Sequence, residues 1–284
     1  MPVALAQAAP TLPAGRGWWF EPKYDGDRML MWRVPGGVRL QSRSGRDVTA
    51  WWPDLAAAGA ALPVGVVLDG EAVVWTGGQL DFGAVRSRAS SSPARAASLA
   101  RALPASYAVW DLLAHPEHGD IRRWAYTRRR ALLLDVLGPR GRPPIQPTPA
   151  TDDRAVAGVW LEQLIGIGVE GIVCKRGSST YRVGRVWTKV RHSDTVDGQV
   201  VGITGTATRP GHAVVRLPDG RVAVSQALPG RLAAQLGRRV RGQETGGGTA
   251  PDGRRYTIVA GGVLVEVLAG TTRHPVVTVT RLRD

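Results

Sequence analysis

Hydrophobic and polar positions in the first 190 residues alternate between short strand-like runs and longer runs with helical spacing. Residues 18–24 and 28–34 read as strands, and Asp25-Gly26-Asp27 between them has the composition of a β-hairpin turn. Further strands are predicted at 38–41, at 64–75 in two runs broken by a turn at Asp69-Gly70, and at 107–113, 169–176 and 186–191. Helices are predicted at 94–102, at 126–137 with Thr127 as N-cap, and at 151–167. Strands and helices in one segment predict an α+β domain.

The pattern changes near residue 194, after which predicted strands are short and turns are frequent. Pro218-Asp219-Gly220 is a strong hairpin signal, and residues 242–253 have the composition of a mobile loop. About five strands and one helix, at 230–241, in roughly 90 residues are typical of a small all-β barrel of the OB-fold type. We therefore predict two domains, at 1–193 and 194–284.

The amino-acid composition indicates a polyanionic partner and a reducing compartment. The chain has 284 residues, 43% of them hydrophobic, and a formal net charge of +14, which favours nucleic acid as partner, although a generally basic protein is the alternative. A single cysteine, Cys174, excludes an internal disulfide and indicates a reducing compartment. The N-terminus lacks the basic residues of a signal peptide, and no apolar run reaches the roughly 18 residues of a membrane span. We predict a cytoplasmic protein without membrane contact.

The basic residues are distributed unevenly between arginine and lysine. Of the 37, only Lys23, Lys175 and Lys189 are lysines. Lysine can act as an amine nucleophile once its proton is lost, whereas arginine does not deprotonate. A free lysine has a pKa near ~10.4, so a nucleophilic lysine needs a nearby cation or metal that favours the neutral amine. The sequence around each lysine is therefore where further residues of a reactive site are expected.

Six short motifs follow one another along the chain. The first, Lys23 to Arg28, is K-x-D-G-x-R, for which a solvated hairpin turn is the alternative explanation. The others are Ser42-Arg43-Ser44-Gly45, Asp69-Gly70-Glu71, Trp110-Asp111-Leu112-Leu113, Glu170-Gly171-Ile172-Val173-Cys174-Lys175 and Trp187-Thr188-Lys189-Val190-Arg191. The chain contains no GxxxxGK[ST] phosphate loop, and its five histidines show no metal-ligand spacing.

In this order the motifs resemble those of the covalent nucleotidyltransferases: ATP-dependent DNA ligases, RNA ligases and mRNA capping enzymes. The resemblance is strongest to small bacterial DNA ligases, which have an adenylation domain of antiparallel sheets flanked by helices and then an OB-fold domain. E-P-K-Y-D-G at 21–26 and R-H-P with R-L-R-D near the end also resemble relatives fused to end-joining machinery. The resemblance covers nearly the whole chain.

The resemblance implies a role for each motif residue. Lys23 would take AMP covalently from ATP. The residues implied around the nucleotide are Glu21, Arg28, Glu71, Trp110, Lys175, Lys189 and Arg191. Glu170 and Asp25 would hold Mg²⁺ or Mn²⁺, Arg43 would meet the 5′-phosphate of the nucleic acid, and Arg281 and Arg283 would orient pyrophosphate. Two of these have structural alternatives, because Trp110 could be core and Arg43 an exposed hairpin arginine.

The resulting expectation is an ATP- and metal-dependent enzyme that seals nicked duplex DNA in repair, as a monomer, with other DNA-repair proteins as further partners. DNA contact is expected over an Arg-rich surface at Arg122, Arg123 and Arg128–Arg130, for which a solvated helix face is the alternative. The motifs leave two other functions open: an RNA ligase or GTP-dependent capping-type enzyme, and a non-catalytic nucleic-acid-binding protein with an OB fold.

Overall fold

The computed structural model describes residues 1–138, 141, 143–191, 195–269 and 277–283. They form two compact units, Met1–His192 and Ser193–Asp284. The predicted domain boundary at residue 193 and the R-H-P motif at 273–275 lie outside the described residues. No helix among the described residues is long and apolar enough to cross a membrane.

The first unit combines two β-sheets with five α-helices in the part of the chain described. Its strands are β1 Ala4–Ala8, β2 Trp18–Lys23, β3 Asp27–Val34, β4 Gly37–Ser42, β5 Val67–Thr76, β6 Gln79–Leu80, β7 Ala105–His115, β8 Gly119–Asp120, β9 Ile145–Pro147, β10 Gly171–Arg176 and β11 Gly184–Arg191. Its helices are α1 Pro53–Gly59, α2 Phe82–Ala89, α3 Pro93–Ala102, α4 Tyr126–Leu137 and α5 Arg154–Gln163, with 3-10 turns at Thr49–Trp51 and Leu164–Ile167. The predicted α+β class is confirmed.

The two sheets of the first unit pack face to face. One has the order β1-β11-β10-β2, with β1 parallel to β11, and the other runs β4-β3-β5-β7-β8 with β6 and β9 at its sides. Strand β3 shows the period of two that builds this arrangement. Met29 and Met31 face the core shared with α1, whereas Leu30 lies in the cluster between the sheets, with Trp187 of β11. Helix α5 covers the outer face of the smaller sheet, where Ala157 packs near Phe20.

The predicted hairpin at Asp25-Gly26-Asp27 is wrong. Strand β2 pairs with β10 in one sheet, whereas β3 pairs with β4 and β5 in the other, so this segment crosses between sheets. Gly26 allows the crossing because a Cβ there would lie 2.3 Å from the carbonyl oxygen of Ala72 in β5. Turn composition indicated the change of direction but not the strand partners.

The predicted turn at Asp69-Gly70 is also wrong, because both residues lie inside the continuous strand β5. Gly70 gives room to the ring of Tyr107, since an added Cβ would lie 2.9 Å from two of its ring atoms. Asp69 is fully buried and pairs with Arg28. Interior packing therefore explains a glycine and a carboxylate that resemble turn residues.

The predicted helix at 126–137 is confirmed, but its predicted N-cap is wrong, and the helix predicted from residue 151 starts three residues later. Helix α4 begins at Tyr126 with Ala125 as N-cap, and the Thr127 hydroxyl donates to the carbonyl of Gly177 at 3.3 Å. Helix α5 begins at Arg154, because the carboxylate of Asp153 accepts the N–H of Ala155 at 2.7 Å.

The second unit is a strongly bent sheet with one described helix. Its elements are β12 Thr195–Thr206, β13 Arg209–Arg216, β14 Val222–Val224, α6 Gly230–Val240, β15 Glu244–Thr249, β16 Arg255–Val259, β17 Leu264–Ala269 and β18 Val277–Leu282. The sheet therefore has seven strands, not about five, while the hairpin at Pro218-Asp219-Gly220 and the helix at 230–241 are confirmed.

Strand pairing in the second unit nearly closes on itself. Strand β12 pairs with β13 on one side and with β17 on the other, and β18 extends from β17. Ser225, just after β14, forms a bridge to Val277 at the start of β18, where the N–H of Gln226 donates to the Val277 carbonyl at 2.7 Å. Five strands thus follow one another around a core that includes Val200, and α6 packs against it through Leu236.

The loop predicted at 242–253 is wrong, because Glu244–Thr249 forms strand β15 against β16. The ring of Tyr256 lies over the backbone of Gly248 and Gly202, where an added Cβ would lie 2.7 and 2.2 Å from its atoms. Glycines here make room for an aromatic ring, so flexible composition does not indicate a loop.

Candidate active site

Lys23 and Glu170 meet where β2 ends and β10 begins. The antiparallel register places Gly171 opposite Lys23, and the N–H of Glu170 donates to the Lys23 carbonyl at 2.8 Å. The Lys23 ammonium also donates to the Glu170 carboxylate, and both side chains remain partly exposed. The Lys23 amine is therefore held beside the Glu170 carboxylate where strands β2 and β10 meet, at a position that solvent can reach.

Two further cations come from the neighbouring strand β11. Lys189 and Arg191 are two residues apart and therefore share a face of β11, where Gly171 lies opposite Arg191. Arg191 Nε lies 2.9 Å from Glu170 Oε1. Burial lowers the pKa of Lys189, and the positive charges of Arg191 and Lys23 lower it further. The group has three cations around one carboxylate and suits an anionic ligand.

Glu71 reaches this region from the other sheet. Its Oε1 accepts the N–H of Gly26 at 3.2 Å, and an added Cβ at Gly26 would lie 2.7 Å from Glu71 Cγ. Burial raises the pKa of Glu71 to about 8, although Lys23 and Arg28 act against that rise. The glycine of K-x-D-G-x-R is thus the position where the crossing segment rests on Glu71.

The guanidinium of Arg28 is held by hydrogen bonds to other residues of the protein. Its Nε and Nη2 donate to both carboxylate oxygens of Asp69, at 3.0 and 2.6 Å, and Nη1 donates to the Ala4 carbonyl at 2.6 Å. The guanidinium lies 5.2 and 5.3 Å from the ring centres of Trp110 and Trp187. Trp110 is half-buried, and its indole N–H has no acceptor among the described residues. Arg28 therefore lies between two indoles instead of pointing into open space.

Glu21 and Lys175 form a buried polar cluster away from Lys23. Glu21 accepts the Tyr126 hydroxyl at 2.6 Å and the Lys175 ammonium at 2.7 Å. Lys175 is opposite Trp19 and four residues along β10 from Gly171, about 13 Å at the usual rise of a strand. Of the three lysines, Lys23 and Lys189 therefore lie in one group, whereas Lys175 lies away from them. Tyr126 was missed, since nothing in its predicted helix distinguished it.

Two other predicted residues lie at the edges of the site. Asp25 is half-buried in the segment that crosses between the sheets, and Arg43 is exposed in the turn after β4. Arg43 faces Asp27: burial raises the pKa of Asp27, and the charges of Arg43 and Arg86 oppose that rise. The sequence did not suggest a role for Asp27 or Arg86.

Comparison with known proteins identifies the family. A family model described as "ATP dependent DNA ligase domain" matches residues 5–191. The chain belongs to the ATP-dependent DNA ligase family. It is 36% identical over 203 residues to DNA ligase C of Mycobacterium tuberculosis, which covers 70% of this chain and 56% of the relative. DNA ligase C2 of Mycolicibacterium smegmatis is 36% identical over 200 residues, covering 70% and 55%. The chain spans about half the length of these curated relatives.

A solved structure supports the same assignment. The chain is similar to a mycobacterial DNA ligase D complexed with ATP and MES, at 27% identity and a TM-score of 0.53, over 100% of this chain and 95% of that one. The predicted resemblance to ATP-dependent DNA ligases is confirmed.

The Arg-rich segment expected to contact DNA is only partly exposed. Arg129 is fully buried and donates to both carboxylate oxygens of Asp111, at 2.7 and 2.9 Å. Arg130 is also buried, with Nη1 3.6 Å from Glu21. Only Arg123 and Arg128 of the five are exposed, so the prediction is wrong for Arg129 and Arg130. Their face of α4 packs onto the sheet.

In the second unit, the side chains of Arg281 and Arg283 both reach Glu266. Arg281 Nη2 and Arg283 Nη2 lie 2.9 and 2.8 Å from Oε2 of Glu266, and Arg283 also pairs with Asp197 at 2.8 Å. Both are ion-paired in this arrangement, and Asp284 lies outside the described residues.

Proposed function

We propose that this protein is an ATP-dependent DNA ligase that carries AMP on Lys23 and seals nicks in duplex DNA. The strongest support is the cluster of Lys23, Glu170, Lys189 and Arg191, which come from three neighbouring strands of one sheet. The cluster has excess positive charge around the partly exposed Lys23 amine. Its family membership supports ATP as the nucleotide.

In the first step the neutral Lys23 amine attacks the α-phosphorus of ATP. An N–P bond forms, the bond from the α-phosphorus to the bridging oxygen breaks, pyrophosphate leaves, and the attacking nitrogen passes a proton to solvent. Lys23 first has to give up a proton, and Glu170, before it binds a metal, is the acceptor already hydrogen-bonded to it. Burial acts to raise the pKa of Glu170, but the charges of Lys23 and Arg191 outweigh it and lower that pKa. A triphosphate that draws Arg191 toward itself would weaken this effect and make Glu170 a better base.

The next two steps transfer AMP and close the strand. A 5′-phosphate oxygen attacks the α-phosphorus, the N–P bond breaks, and Lys23 regains its proton. The 3′-hydroxyl then attacks the 5′-phosphorus, the phosphodiester forms and AMP leaves. Arg43 is exposed on the β4 turn and is suited to hold the 5′-phosphate.

The donor set at the site also fits a metal. Glu170 and Asp25 supply carboxylate oxygens, the ligand type that Mg²⁺ and Mn²⁺ prefer. The metal would neutralise phosphate charge. Lys189 and Arg191 contact phosphate oxygens directly in this proposal.

At the nucleoside end, we assign Glu71 to the ribose and the face of Trp110 to adenine. Arg28 then acts through Trp110, beneath whose ring it is fixed by Asp69. Glu21 and Lys175 bind each other, and Lys175 donates to the Trp110 carbonyl at 3.1 Å, so they position this strand behind the base.

The second unit is proposed to be an OB-type domain, which is supported by its nearly closed ring of five strands. Arg281 and Arg283 would orient pyrophosphate after exchanging Glu266 for phosphate oxygens. We further propose a cytoplasmic monomer that works with other repair proteins. Size-exclusion chromatography with light scattering tests the monomer.

Incubation with α-labelled ATP and Mg²⁺ tests the covalent step. Wild type should become labelled on the peptide that contains Lys23. Lys23→Arg keeps a cation beside Glu170 but has no usable amine, so it should remain unlabelled, as should Lys23→Ala. Label on either variant would contradict the assignment of the nucleophile.

Competition and substrate assays separate the alternatives. Unlabelled ATP should prevent labelling and GTP should not, which distinguishes a ligase from a capping-type enzyme. Sealing of nicked DNA in preference to nicked RNA distinguishes a DNA ligase from an RNA ligase. Salt-dependent DNA binding without any labelling would favour a non-catalytic binding protein.

A further inference from the structure

A group of three potential metal ligands lies at the tip of the β7–β8 hairpin. His115 ends β7 opposite Gly119, and Glu117 and His118 lie in the turn between them. One ligand atom from each of the three side chains lies within 4.8 Å of the others. The spacing H-x-E-H did not suggest a site, because the hairpin turn and not a helix brings these residues together.

The two imidazoles are stacked face to face. Their ring centres are 4.8 Å apart with an angle of 24° between planes, and His118 also lies 5.1 Å from Trp124. The N–H of Glu117 donates to Nδ1 of His115 at 3.2 Å, so a metal would replace this hydrogen bond at Nδ1 or bind Nε2. Glu117 and His118 are exposed, so a metal could reach their side chains from solvent.

We propose that His115, Glu117 and His118 bind a divalent transition metal of the Zn²⁺, Ni²⁺ or Cu²⁺ class. Two imidazoles and one carboxylate form a ligand set that suits these ions, whereas Mg²⁺ favours oxygen ligands. Ligand atoms around tetrahedral zinc are about 3.4 Å apart, so the ligand atoms, now within 4.8 Å of one another, would have to approach by up to about 1.4 Å. A fourth position stays open to water.

This site is separate from the proposed ligase centre. Ala108 of β7 lies opposite Glu71, and His115 is seven residues further along the same strand, about 23 Å away. The metal would join both strands of the hairpin without touching the nucleotide.

Calorimetry with metal-free protein in millimolar Mg²⁺ tests the proposal, because Mg²⁺ occupies the carboxylates of the ligase centre. Zn²⁺ should bind with one equivalent assigned to the hairpin, and His115→Gln and His118→Gln should each weaken that equivalent by at least about tenfold. His212→Gln is the matched control, since His212 lies in the other unit, hydrogen-bonded to Thr204. It should bind Zn²⁺ like wild type.

Spectroscopy provides an independent readout. The electron paramagnetic resonance spectrum of bound Cu²⁺ should show nitrogen coupling that both hairpin variants reduce, and Cu²⁺ should quench Trp124 fluorescence in wild type. AMP labelling should be equal in all four proteins, since none of these histidines lies at the ligase centre. Unchanged Zn²⁺ binding and Cu²⁺ coupling in a His115→Gln/His118→Gln double variant would overturn the proposal.

Discussion

Lys23 and Glu170 are joined twice, once through the backbone and once through their side chains. The Glu170 N–H donates to the Lys23 carbonyl at 2.8 Å, while the Lys23 ammonium donates to the Glu170 carboxylate. The end of β2 is therefore fixed to the start of β10 at the residue proposed to become adenylylated. Any change in the Glu170 side chain should affect the amine while the backbone link remains.

We expect Glu170→Gln to slow AMP labelling in single-turnover assays by at least about tenfold, because the amide can orient Lys23 but cannot take its proton. Thermal unfolding should change little, since the ion pair is partly exposed and such pairs contribute about 0–1 kcal/mol. Glu162→Gln, at an exposed position of α5, is the matched control and should label normally. Equal labelling rates for both variants would exclude Glu170 as the proton acceptor.

Gly26→Ala should disrupt the crossing segment between the sheets. The new methyl would meet the Ala72 carbonyl oxygen at 2.3 Å and Glu71 Cγ at 2.7 Å. We expect a loss of about 1–3 kcal/mol in unfolding free energy and a strong loss of labelling, measured by denaturant titration and the AMP assay. Gly36→Ala is a suitable control because nothing lies within 4 Å of its Cβ position. A Gly26→Ala protein as stable and active as this control would contradict the close contact.

The raised pKa of Glu71 predicts a pH-dependent stability. Burial raises the pKa of Glu71 from 4.5 to about 8 in the folded protein, so the folded state favours the protonated carboxyl. That contribution is fully present below about pH 4.5 and is lost as pH rises through about 8. Glu71→Gln keeps an acceptor for the Gly26 N–H and cannot ionise. Its stability relative to wild type should therefore increase by up to about 4 kcal/mol between pH 5 and pH 9.

Thermal unfolding at a series of pH values measures this difference. Glu162→Gln again serves as control and should follow wild type throughout. A Glu71→Gln curve parallel to wild type would show that Glu71 has an ordinary pKa in the folded protein.

The buried and exposed arginines of the 122–130 segment should respond differently to substitution. Arg129→Ala leaves Asp111 buried without its partner, which should cost about 3–5 kcal/mol of stability. Arg123→Ala removes only an exposed charge, so its unfolding should match wild type. If Arg123 contacts a phosphate, the slope of log affinity for nicked DNA against log salt should fall by about 0.9. An unchanged melting temperature in Arg129→Ala would contradict the buried pair.

Local patterns predicted the elements better than their partners. The strand at 28–34 and the helix at 126–137 were evident because alternation and helical spacing are local properties. The placement of β2 and β3 in different sheets was not, because Asp25-Gly26-Asp27 has the same composition whether it closes a hairpin or crosses between sheets. Pairing depends on distant contacts such as that between Gly26 and Ala72.

In the candidate site too, some contacts could be predicted from the sequence and others could not. The motif order correctly brought Lys23, Glu170, Lys189 and Arg191 together, because their strands pair in register. Their order could not show that Lys175, at the other end of β10, pairs with Glu21. Nor could it distinguish buried Arg129 from exposed Arg123, since an arginine that pairs with an internal aspartate looks the same in sequence as one that faces solvent.

The burial of Lys175 also makes the protein suited to amine acylation as a footprint of nucleotide occupancy. Lys175 is 1% exposed, so an acylating reagent has only Lys23 and Lys189 among the three lysines within reach. Mass spectrometry of acylated peptides should therefore report on two positions with little background. Protection of both positions by added ATP, with Lys175 unmodified throughout, would report nucleotide occupancy, and Lys23 that resists acylation before ATP is added would report protein already carrying AMP.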